Sequence, residues 1–271
     1  MDYILAAVFG IIQGVTEFFP ISSSGHLVVL HALFPGFTAA DELAFDVALH
    51  WGTLVALIFF FRRDIIRIVA AWVKSFGRQA SAATDNARLA WLIILGTIPA
   101  AVIGWRFERT ITEALRSTVW VGIMLIIGGL VFLLIERIVK VRRPDNAWRW
   151  PDAVVVGLAQ ALAFIPGISR SGSTIVAGRA LGFRHATAAR FSFLLSLPIV
   201  FGAGVKEISE ISQQTLASQD WLILLTGFLT ALVTGVVAIS WLLRFFERHS
   251  LRGFAYYRLA LGAAILIALL V

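Results

Sequence analysis

Two short segments of this 271-residue chain place charged and hydroxyl side chains inside otherwise apolar sequence. The first carries Glu17, Ser23 and His26, and the second carries Arg170 among serines and glycines. Because a charge at the centre of a membrane helix costs about 2.5–3.5 kcal/mol, Glu17 and Arg170 are candidates for a functional site. Arg170 can give a phosphate two parallel, charge-assisted hydrogen bonds. We therefore predict that the two segments form one buried site that binds and hydrolyses a polyphosphate.

Both segments contain residues that favour the start of a helix. Serine is a preferred N-cap, and a helix N-terminus offers unpaired N–H groups and a positive dipole to an anion. The predicted phosphate-binding residues are the small or hydroxyl-bearing residues beside these two helix starts: Ser22, Ser24, Gly25, Ser169, Ser171, Gly172, Ser173 and Thr174. The alternative is that the hydroxyls only cap helices and the glycines only allow close packing.

The first segment also offers residues for bond breaking. Ser23 and His26 are three residues apart, so a helical turn would place them on one face. His26 could then act as base for a Ser23 nucleophile, or could itself attack phosphorus. The alternative is that His26 only hydrogen-bonds a carbonyl. Glu17 and Arg170 could likewise form a purely structural salt bridge, although such a bridge would not need the neighbouring hydroxyls and histidine.

Glu17 has two open roles. As a carboxylate it could hold Mg²⁺ or Ca²⁺ against diphosphate oxygens, with the amide oxygen of Gln13 one turn earlier as a second ligand. It could instead orient His26. A second buried polar pair, Asp46 and His50, could relay protons, although a packing hydrogen bond is the simpler interpretation.

The composition places the chain in a lipid bilayer. Hydrophobic residues make up 59% of it, against roughly 45–50% in soluble domains. Cysteine is absent, which excludes thiolate chemistry, disulfides and cysteine-based metal sites. The stretches that are apolar and long enough to span a membrane as helices are 43–61, 89–107, 119–135, 190–206, 221–243 and 254–271.

Two further apolar regions are interrupted. Residues 3–19 and 27–34 flank the first polar segment, and residues 153–165 and 173–183 flank the second. Each arm is too short to cross a membrane alone, so we predict two re-entrant helical hairpins whose irregular tips are buried in protein or line a polar cavity. The predicted fold is therefore an all-α integral membrane protein with about six transmembrane helices and two re-entrant hairpins.

The basic residues predict the orientation. The net charge of +7 comes from residues that cluster just past apolar stretches, as topology determinants do, and this placement argues against nucleic-acid binding. The loops predicted to be cytoplasmic are 62–88, 137–149 and 244–252, which are rich in arginine and lysine. The alternate connections contain few basic residues, Arg109 and Arg116 among them. Counting crossings places both termini outside, with the first hairpin entering from outside and the second from the cytoplasm.

An internal repeat supports this arrangement. At a constant offset of 147, residues 10–26 align with residues 157–173 without gaps and share glycine, glutamine, isoleucine and serine positions. Three spans lie between the copies, so the second copy is inverted and the broken helices should meet near the membrane midplane. The chain is predicted to be a single membrane domain, 1–271, with pseudo-symmetric halves at about 1–145 and 146–271.

The chain resembles the undecaprenyl-diphosphate phosphatase family associated with bacitracin resistance. The resemblance lies in Gln-Gly-Val-Thr-Glu-Phe-Phe-Pro-Ile-Ser-Ser-Ser-Gly-His at 13–26 and Pro-Gly-Ile-Ser-Arg-Ser-Gly-Ser-Thr at 166–174, and it covers essentially the whole chain. It implies an enzyme of the bacterial inner membrane that removes the terminal phosphate of undecaprenyl diphosphate. The product would be undecaprenyl phosphate for peptidoglycan synthesis, the reaction would depend on a divalent cation, and bacitracin would act on the same substrate.

The resemblance also implies residue roles. Ser23 would be the nucleophile with His26 beside it, while Glu17 and Arg170 belong to the first and second motifs. Many relatives have Glu at the first position of the acidic motif, where this chain has Gln13, which leaves Glu17 as the principal candidate metal ligand. The family site is thought to open to the periplasm, in agreement with the outward-entering first hairpin.

A transporter or flippase for an anionic lipid phosphate is the strongest alternative function, because inverted repeats with broken helices are characteristic of transport folds. Transport requires anion donors but does not require a nucleophile beside a base, which Ser23 and His26 would provide. The oligomeric state stays open, and a homodimer is one of the arrangements allowed.

Overall fold

A computed structural model describes residues 2–34, 42–77, 84–115, 117–211 and 218–270. Arg78 and Arg116, two of the basic residues of the predicted loops, lie outside these ranges. Throughout the described part of the chain the secondary structure is helical, with no β-strand. The predicted all-α class is therefore confirmed.

The part of the chain that the structure describes contains ten α-helices. They are α1 (Asp2–Thr16), α2 (Ser23–Leu33), α3 (Glu42–Lys74), α4 (Asp85–Leu115), α5 (Thr118–Ile138), α6 (Trp150–Ala161), α7 (Arg170–Ala180), α8 (His185–Ile211), α9 (Ser218–Phe245) and α10 (Arg252–Ala268). A short 3-10 turn, Leu162–Phe164, directly follows α6.

Five of these helices, α3, α4, α5, α8 and α9, are long and apolar enough to cross a bilayer, as in a multi-pass membrane protein. They contain five of the six predicted spans. The sixth span, 254–271, falls in α10, whose 17 residues are at the lower end of the roughly 17–25 that a spanning helix needs. Helix α3 is longer than predicted. Its 33 residues extend about 50 Å, well past a hydrocarbon core of about 30 Å, because the helix continues into the basic segment after residue 61.

Four helices are too short to cross a membrane alone. Helices α1 and α2 have 15 and 11 residues, and α6 and α7 have 12 and 11. An irregular connection joins the members of each pair. We call residues 17–26, which lead from α1 into α2, the first tip, and residues 165–174, which lead from the 3-10 turn into α7, the second tip.

Glycines let α1 and α6 approach their neighbours closely. A Cβ added at Gly10 would lie 1.9 Å from the Thr230 hydroxyl and 2.5 Å from the Gly227 carbonyl oxygen of α9. A Cβ added at Gly157 would lie 2.2 Å from the Gly96 carbonyl oxygen of α4. Small residues favour helix association in lipid because they allow backbones to make van der Waals contact. These two crossings fix α1 on α9 and α6 on α4, and thereby hold the helices that lead into the tips.

We expect Gly157→Ala to destabilise the protein. The added methyl group would overlap the Gly96 backbone, which cannot move as a flexible side chain would, and overpacking of this kind costs about 1–3 kcal/mol. The thermal midpoint of unfolding in detergent should therefore fall. Gly202→Ala is the matched control, since a Cβ there meets nothing within 4 Å. Equal midpoints for the two variants would contradict close packing of α6 on α4.

Candidate active site

The first tip enters α2 through a strained serine. Ser22 has a φ of 74°, a left-handed conformation that costs a non-glycine residue roughly 1–3 kcal/mol. Its hydroxyl accepts the backbone N–H of Gly25 at 3.3 Å, and its carbonyl accepts the backbone N–H of His26 at 3.2 Å. Ser22 is therefore the N-cap of α2, and the bonds on both sides hold its unusual backbone geometry in place.

The second tip repeats this cap, but its capping serine has an ordinary negative φ of −47°. Ser169 is the N-cap of α7, and its hydroxyl accepts the backbone N–H of Gly172 at 3.1 Å. At the offset of 147 residues, Ser169 is equivalent to Ser22 and Gly172 to Gly25. The chain reverses just before the cap at Gly167, whose φ of 93° favours glycine. Equivalent serines thus begin equivalent helices in both tips.

The two tips meet at a buried ion pair. Arg170 Nη2 donates to Glu17 Oε1 at 2.8 Å, and the two side chains are only 14% and 9% exposed. The Ser171 hydroxyl donates to the Phe19 carbonyl at 3.0 Å, which adds a second bond between the tips. Segments far apart in the sequence therefore form one polar centre.

Ser23 shares the carboxylate of this ion pair. Its hydroxyl donates to Glu17 Oε2 at 2.6 Å, and the same oxygen accepts the side-chain amide of Gln13 at 3.1 Å. Glu17 thus connects Ser23, Gln13 and Arg170. A carboxylate this close to a hydroxyl can take its proton when the hydroxyl oxygen attacks an electrophile.

His26 lies beside this network but has other partners. Its Nδ1 is 2.7 Å from the Ser22 carbonyl, and because a carbonyl only accepts, Nδ1 is the nitrogen that carries the proton. Its Nε2 is 2.7 Å from the hydroxyl of Tyr257 on α10, within hydrogen-bond distance. Both ring nitrogens are therefore engaged, and the structure does not bring His26 into position to take the Ser23 proton.

A cavity of about 200 Å³ lies beside the ion pair. Its polar lining from the two tips comprises Glu17, Ser22, Ser23, Ser24, Ser169 and Arg170. Two lining residues carry buried polar atoms without a hydrogen-bond partner among the described residues, namely Nη1 of Arg170 and both amide atoms of Gln160. Unsatisfied buried donors are costly, so these groups suit a ligand rich in acceptor oxygens.

Three of the predicted phosphate-binding hydroxyls bond to protein groups instead. Ser171 bridges the tips as described, and Ser173 donates to the Arg170 carbonyl at 3.0 Å. Thr174 donates to the same carbonyl at 2.7 Å. The bonds of Ser173 and Thr174 hold the first turn of α7. The cavity lining includes Ser22, Ser24 and Ser169 but none of these three residues.

The two predicted glycines pack against α5. A Cβ added at Gly25 would lie 3.1 Å from a methyl carbon of Val121, and one at Gly172 would lie 2.8 Å from the ring of Phe132. Both glycines therefore allow the starts of α2 and α7 to approach the same helix. This matches the packing alternative considered for them from the sequence.

The pair Asp46 and His50 is divided between two places. The Asp46 carboxylate accepts from His31 Nε2 at 3.0 Å, which joins α2 to α3. His50 Nδ1 donates to the Asp46 carbonyl at 2.7 Å, and the His50 ring lines the cavity. The two side chains do not form the relay considered from the sequence, but His50 is part of the cavity wall.

Sequence reasoning missed three residues around this centre, Glu207, Tyr257 and Arg258. Glu207 lines the cavity, Tyr257 binds His26, and Arg258 is 1% exposed between the tips and α5. Arg258 lies inside the predicted span 254–271, so the rule that treats charges within spans as functional candidates could have identified it. No comparable signal marks Glu207, which follows the end of a predicted span, or Tyr257.

Carboxylate and amide oxygens, which divalent cations bind, lie at or beside the cavity. Within the described ranges no group of three or more His, Cys, Asp or Glu side chains could hold a metal by itself. Mg²⁺ commonly binds through one or two carboxylates together with substrate phosphates. Glu17 and Glu207 both line the cavity, and the buried Gln13 Oε1 has no hydrogen-bond partner among the described residues.

Known proteins resemble the chain over nearly its full length. The family model described as "Bacitracin resistance protein BacA" matches residues 6–264. The chain is 43% identical over 274 residues to the "Undecaprenyl-diphosphatase" of Rubrobacter xylanophilus, covering 100% of this chain and 99% of the relative. It is 44% identical over 271 residues to the protein of the same name from Geobacter sulfurreducens, covering 98% of each. The matched residues include both tips, and the chain belongs to the BacA family of bacitracin resistance proteins.

Proposed function

We propose that the chain hydrolyses undecaprenyl diphosphate to undecaprenyl phosphate and inorganic phosphate, which recycles the lipid carrier for peptidoglycan synthesis. The observation that carries the proposal is the 2.6 Å hydrogen bond from Ser23 to Glu17, whose carboxylate is also paired with Arg170 of the other tip. Phosphoryl transfer to serine needs a hydroxyl beside a base and a cation near the transferred group. The relatives named "Undecaprenyl-diphosphatase" suggest the substrate.

The first step transfers the terminal phosphoryl group to Ser23. Oγ attacks the terminal phosphorus while Glu17 Oε2 accepts its proton. The bond between that phosphorus and the bridging anhydride oxygen breaks, and undecaprenyl phosphate leaves with the bonding electrons. Ser23 is favoured over His26 as the nucleophile because its hydroxyl already contacts a base, whereas both nitrogens of His26 have other partners.

Water completes the reaction in the second step. It attacks the phosphoserine, the bond from phosphorus to Oγ breaks, and Ser23 recovers the proton held by Glu17. The proton that water loses leaves with inorganic phosphate. The side chains of the active centre are then restored and can begin another cycle.

Arg170 and the two helix starts stabilise the charge that moves during these steps. Nη2 of Arg170 is held by Glu17, while Nη1 has no protein partner among the described residues and can donate to phosphate. Helices α2 and α7 begin at Ser23 and Arg170, so two helix N-termini adjoin the cavity. His26 would contribute by holding the Ser22 carbonyl, and with it the backbone before Ser23.

Glu17 and Gln13 would hold a divalent cation, Mg²⁺ or Ca²⁺, through a carboxylate oxygen and an amide oxygen. When bound, the cation would neutralise diphosphate charge and orient the terminal phosphate. Gln13 is neutral, so this site has one charge fewer than a site built from two carboxylates. The proposed cation would therefore bind chiefly together with substrate.

The proposed active site opens to the periplasm of the bacterial inner membrane. In this arrangement α1 with α2, and α6 with α7, are re-entrant hairpins of an inverted repeat with halves 1–145 and 146–271. The packing supports an inverted repeat, because α1 lies on α9 and α6 lies on α4. When the two halves are exchanged, α1 takes the place of α6 and α9 takes the place of α4, so the two contacts are equivalent. The arginine-rich loops predict the orientation.

Purified protein in detergent should release phosphate from a polyprenyl diphosphate without any membrane gradient. We expect Ser23→Ala to lower kcat by about 10³-fold or more, because it removes the attacking oxygen. Phosphate release over time measures the effect. Ser240→Ala, which loses a hydroxyl on α9 that accepts a hydrogen bond from Arg244, is the matched control and should keep wild-type activity.

Two outcomes would contradict this assignment. Full activity of Ser23→Ala together with loss of activity in His26→Ala would assign the attack to His26. Absence of phosphate release by folded wild-type protein would favour transport of the lipid phosphate.

Removal of divalent cations should abolish phosphate release, and Mg²⁺ or Ca²⁺ should restore it. Gln13→Glu should lower the Mg²⁺ concentration needed for half-maximal activity, by about 10-fold, because ligand charge tunes affinity at such sites. Titration of the cation into chelator-treated protein measures both effects. Undiminished activity in excess chelator would contradict the proposed cation.

A further inference from the structure

Arg258 is the largest fully buried side chain of the described structure, at 1% exposure. It lies on α10, and no described carboxylate is within ion-pair distance of it. A cation in a membrane protein is costly without a counter-charge, so a position of this kind indicates a specific task. The proposed mechanism gives Arg258 no part in phosphate chemistry.

The guanidinium of Arg258 binds four carbonyl oxygens. Nη1 donates to Pro20 in the first tip at 3.3 Å, and Nη2 donates to Gly167 in the second tip at 3.0 Å. Nη2 and Nε also donate to Met124 and Leu125 of α5, at 3.2 Å and 3.3 Å. One rigid, planar group therefore connects both tips to a single membrane-spanning helix.

The two tip carbonyls are equivalent in the repeat. Pro20 and Gly167 are separated by the offset of 147, and each precedes a proposed active residue, Ser23 or Arg170, by three positions. Where a helix is interrupted inside a membrane, its freed carbonyls need donors from neighbouring elements. Arg258 supplies those donors at the same point of both tips.

The surrounding residues leave space for this guanidinium and little else. A Cβ added at Gly128 of α5 would lie 2.0 Å from Arg258 Nη2. The ring of Phe132, one turn further along α5, lies 5.1 Å from the guanidinium carbon and makes a cation–π contact. Gly128 therefore admits Arg258, and any side chain at Gly128 would displace it.

We propose that Arg258 is a positioning residue that fixes the two tips relative to each other and thereby sets the distance between Ser23 and the Arg170 guanidinium. The effect on catalysis rests on the proposed phosphatase function, whereas the effect on tip geometry does not. Arg258 acts through backbone carbonyls and does not touch the phosphate.

Kinetic constants for a short polyprenyl diphosphate test the proposal. Arg258→Met should lower kcat by about 100-fold with KM changed by less than about 3-fold, because small misplacements of reacting groups cost rates of that order. Arg258→Lys should retain intermediate activity, since it keeps the charge and some donors. Gly128→Ala should lower kcat in the same way, because it displaces Arg258 without replacing it. Gly253→Ala, whose Cβ would meet nothing within 4 Å, should keep wild-type kcat.

Combining the two changes separates positioning from a general loss of stability. If Gly128 acts through Arg258, adding Gly128→Ala to Arg258→Met should lower kcat no further. Multiplicative losses would overturn the proposal, as would wild-type kcat in folded Arg258→Met protein. If Arg258→Met does not fold, kcat of the other three variants tests the proposal. Arg258→Lys and Gly128→Ala should lower kcat, whereas Gly253→Ala should not.

A distance measurement keeps the proposal testable if the phosphatase function is wrong. The chain has no cysteine, so spin labels can be attached at Ser24→Cys and Leu162→Cys, two exposed positions on either side of the cavity-forming tips. The distance distribution should be narrow and should broaden with Gly128→Ala or Arg258→Lys. An unchanged distribution would overturn the positioning role of Arg258. Broadening, together with no phosphate release by folded, unlabelled wild-type protein, would uphold that role and refute the proposed function.

Discussion

The ion pair between Glu17 and Arg170 is the contact on which the rest of the structure depends. A buried ion pair rarely stabilises a fold more than well-packed apolar residues would, so stability alone does not explain a pair placed between two broken membrane helices. Its geometry gives a better reason. One carboxylate oxygen binds the guanidinium and the other accepts the Ser23 hydroxyl, so a single side chain joins the tips and holds the hydroxyl of the proposed nucleophile.

The two tips share the same capping hydrogen bond and differ in their chemistry. Ser22 and Ser169 cap their helices through equivalent hydrogen bonds, and the residue after each cap is Ser23 in one tip and Arg170 in the other. The corresponding residues of the two tips therefore present a hydroxyl and a cation to one cavity. Because Arg258 binds both tips at equivalent carbonyls, the relation between these two positions is fixed by one side chain.

Much of the fold could be predicted from the sequence because the bilayer imposes simple rules. Apolar length located the spans, and serines after interrupted helices located both caps. The end of α3 could not be located in this way, since hydropathy stops at residue 61 while the helix continues through basic residues that are good helix formers in water.

The site was predictable only where its residues are close in sequence or carry charge in an apolar segment. Glu17 and Arg170 met the second condition. The spacing of Ser23 and His26 suggested a pair, but His26 is redirected by Tyr257, a partner 231 residues away that no local pattern can identify. Glu207 lies on α8 and lines the cavity. Helix packing brings it there, and no local sequence pattern shows this.

The central claim is that both tips act on one phosphate, and a structure of the protein with bound orthovanadate tests it most directly. We expect the vanadium to lie within bonding reach of Ser23 Oγ, with a vanadate oxygen accepting a hydrogen bond from Arg170 Nη1. Vanadate bound to one tip alone, or beside His26 and away from Ser23, would contradict the account.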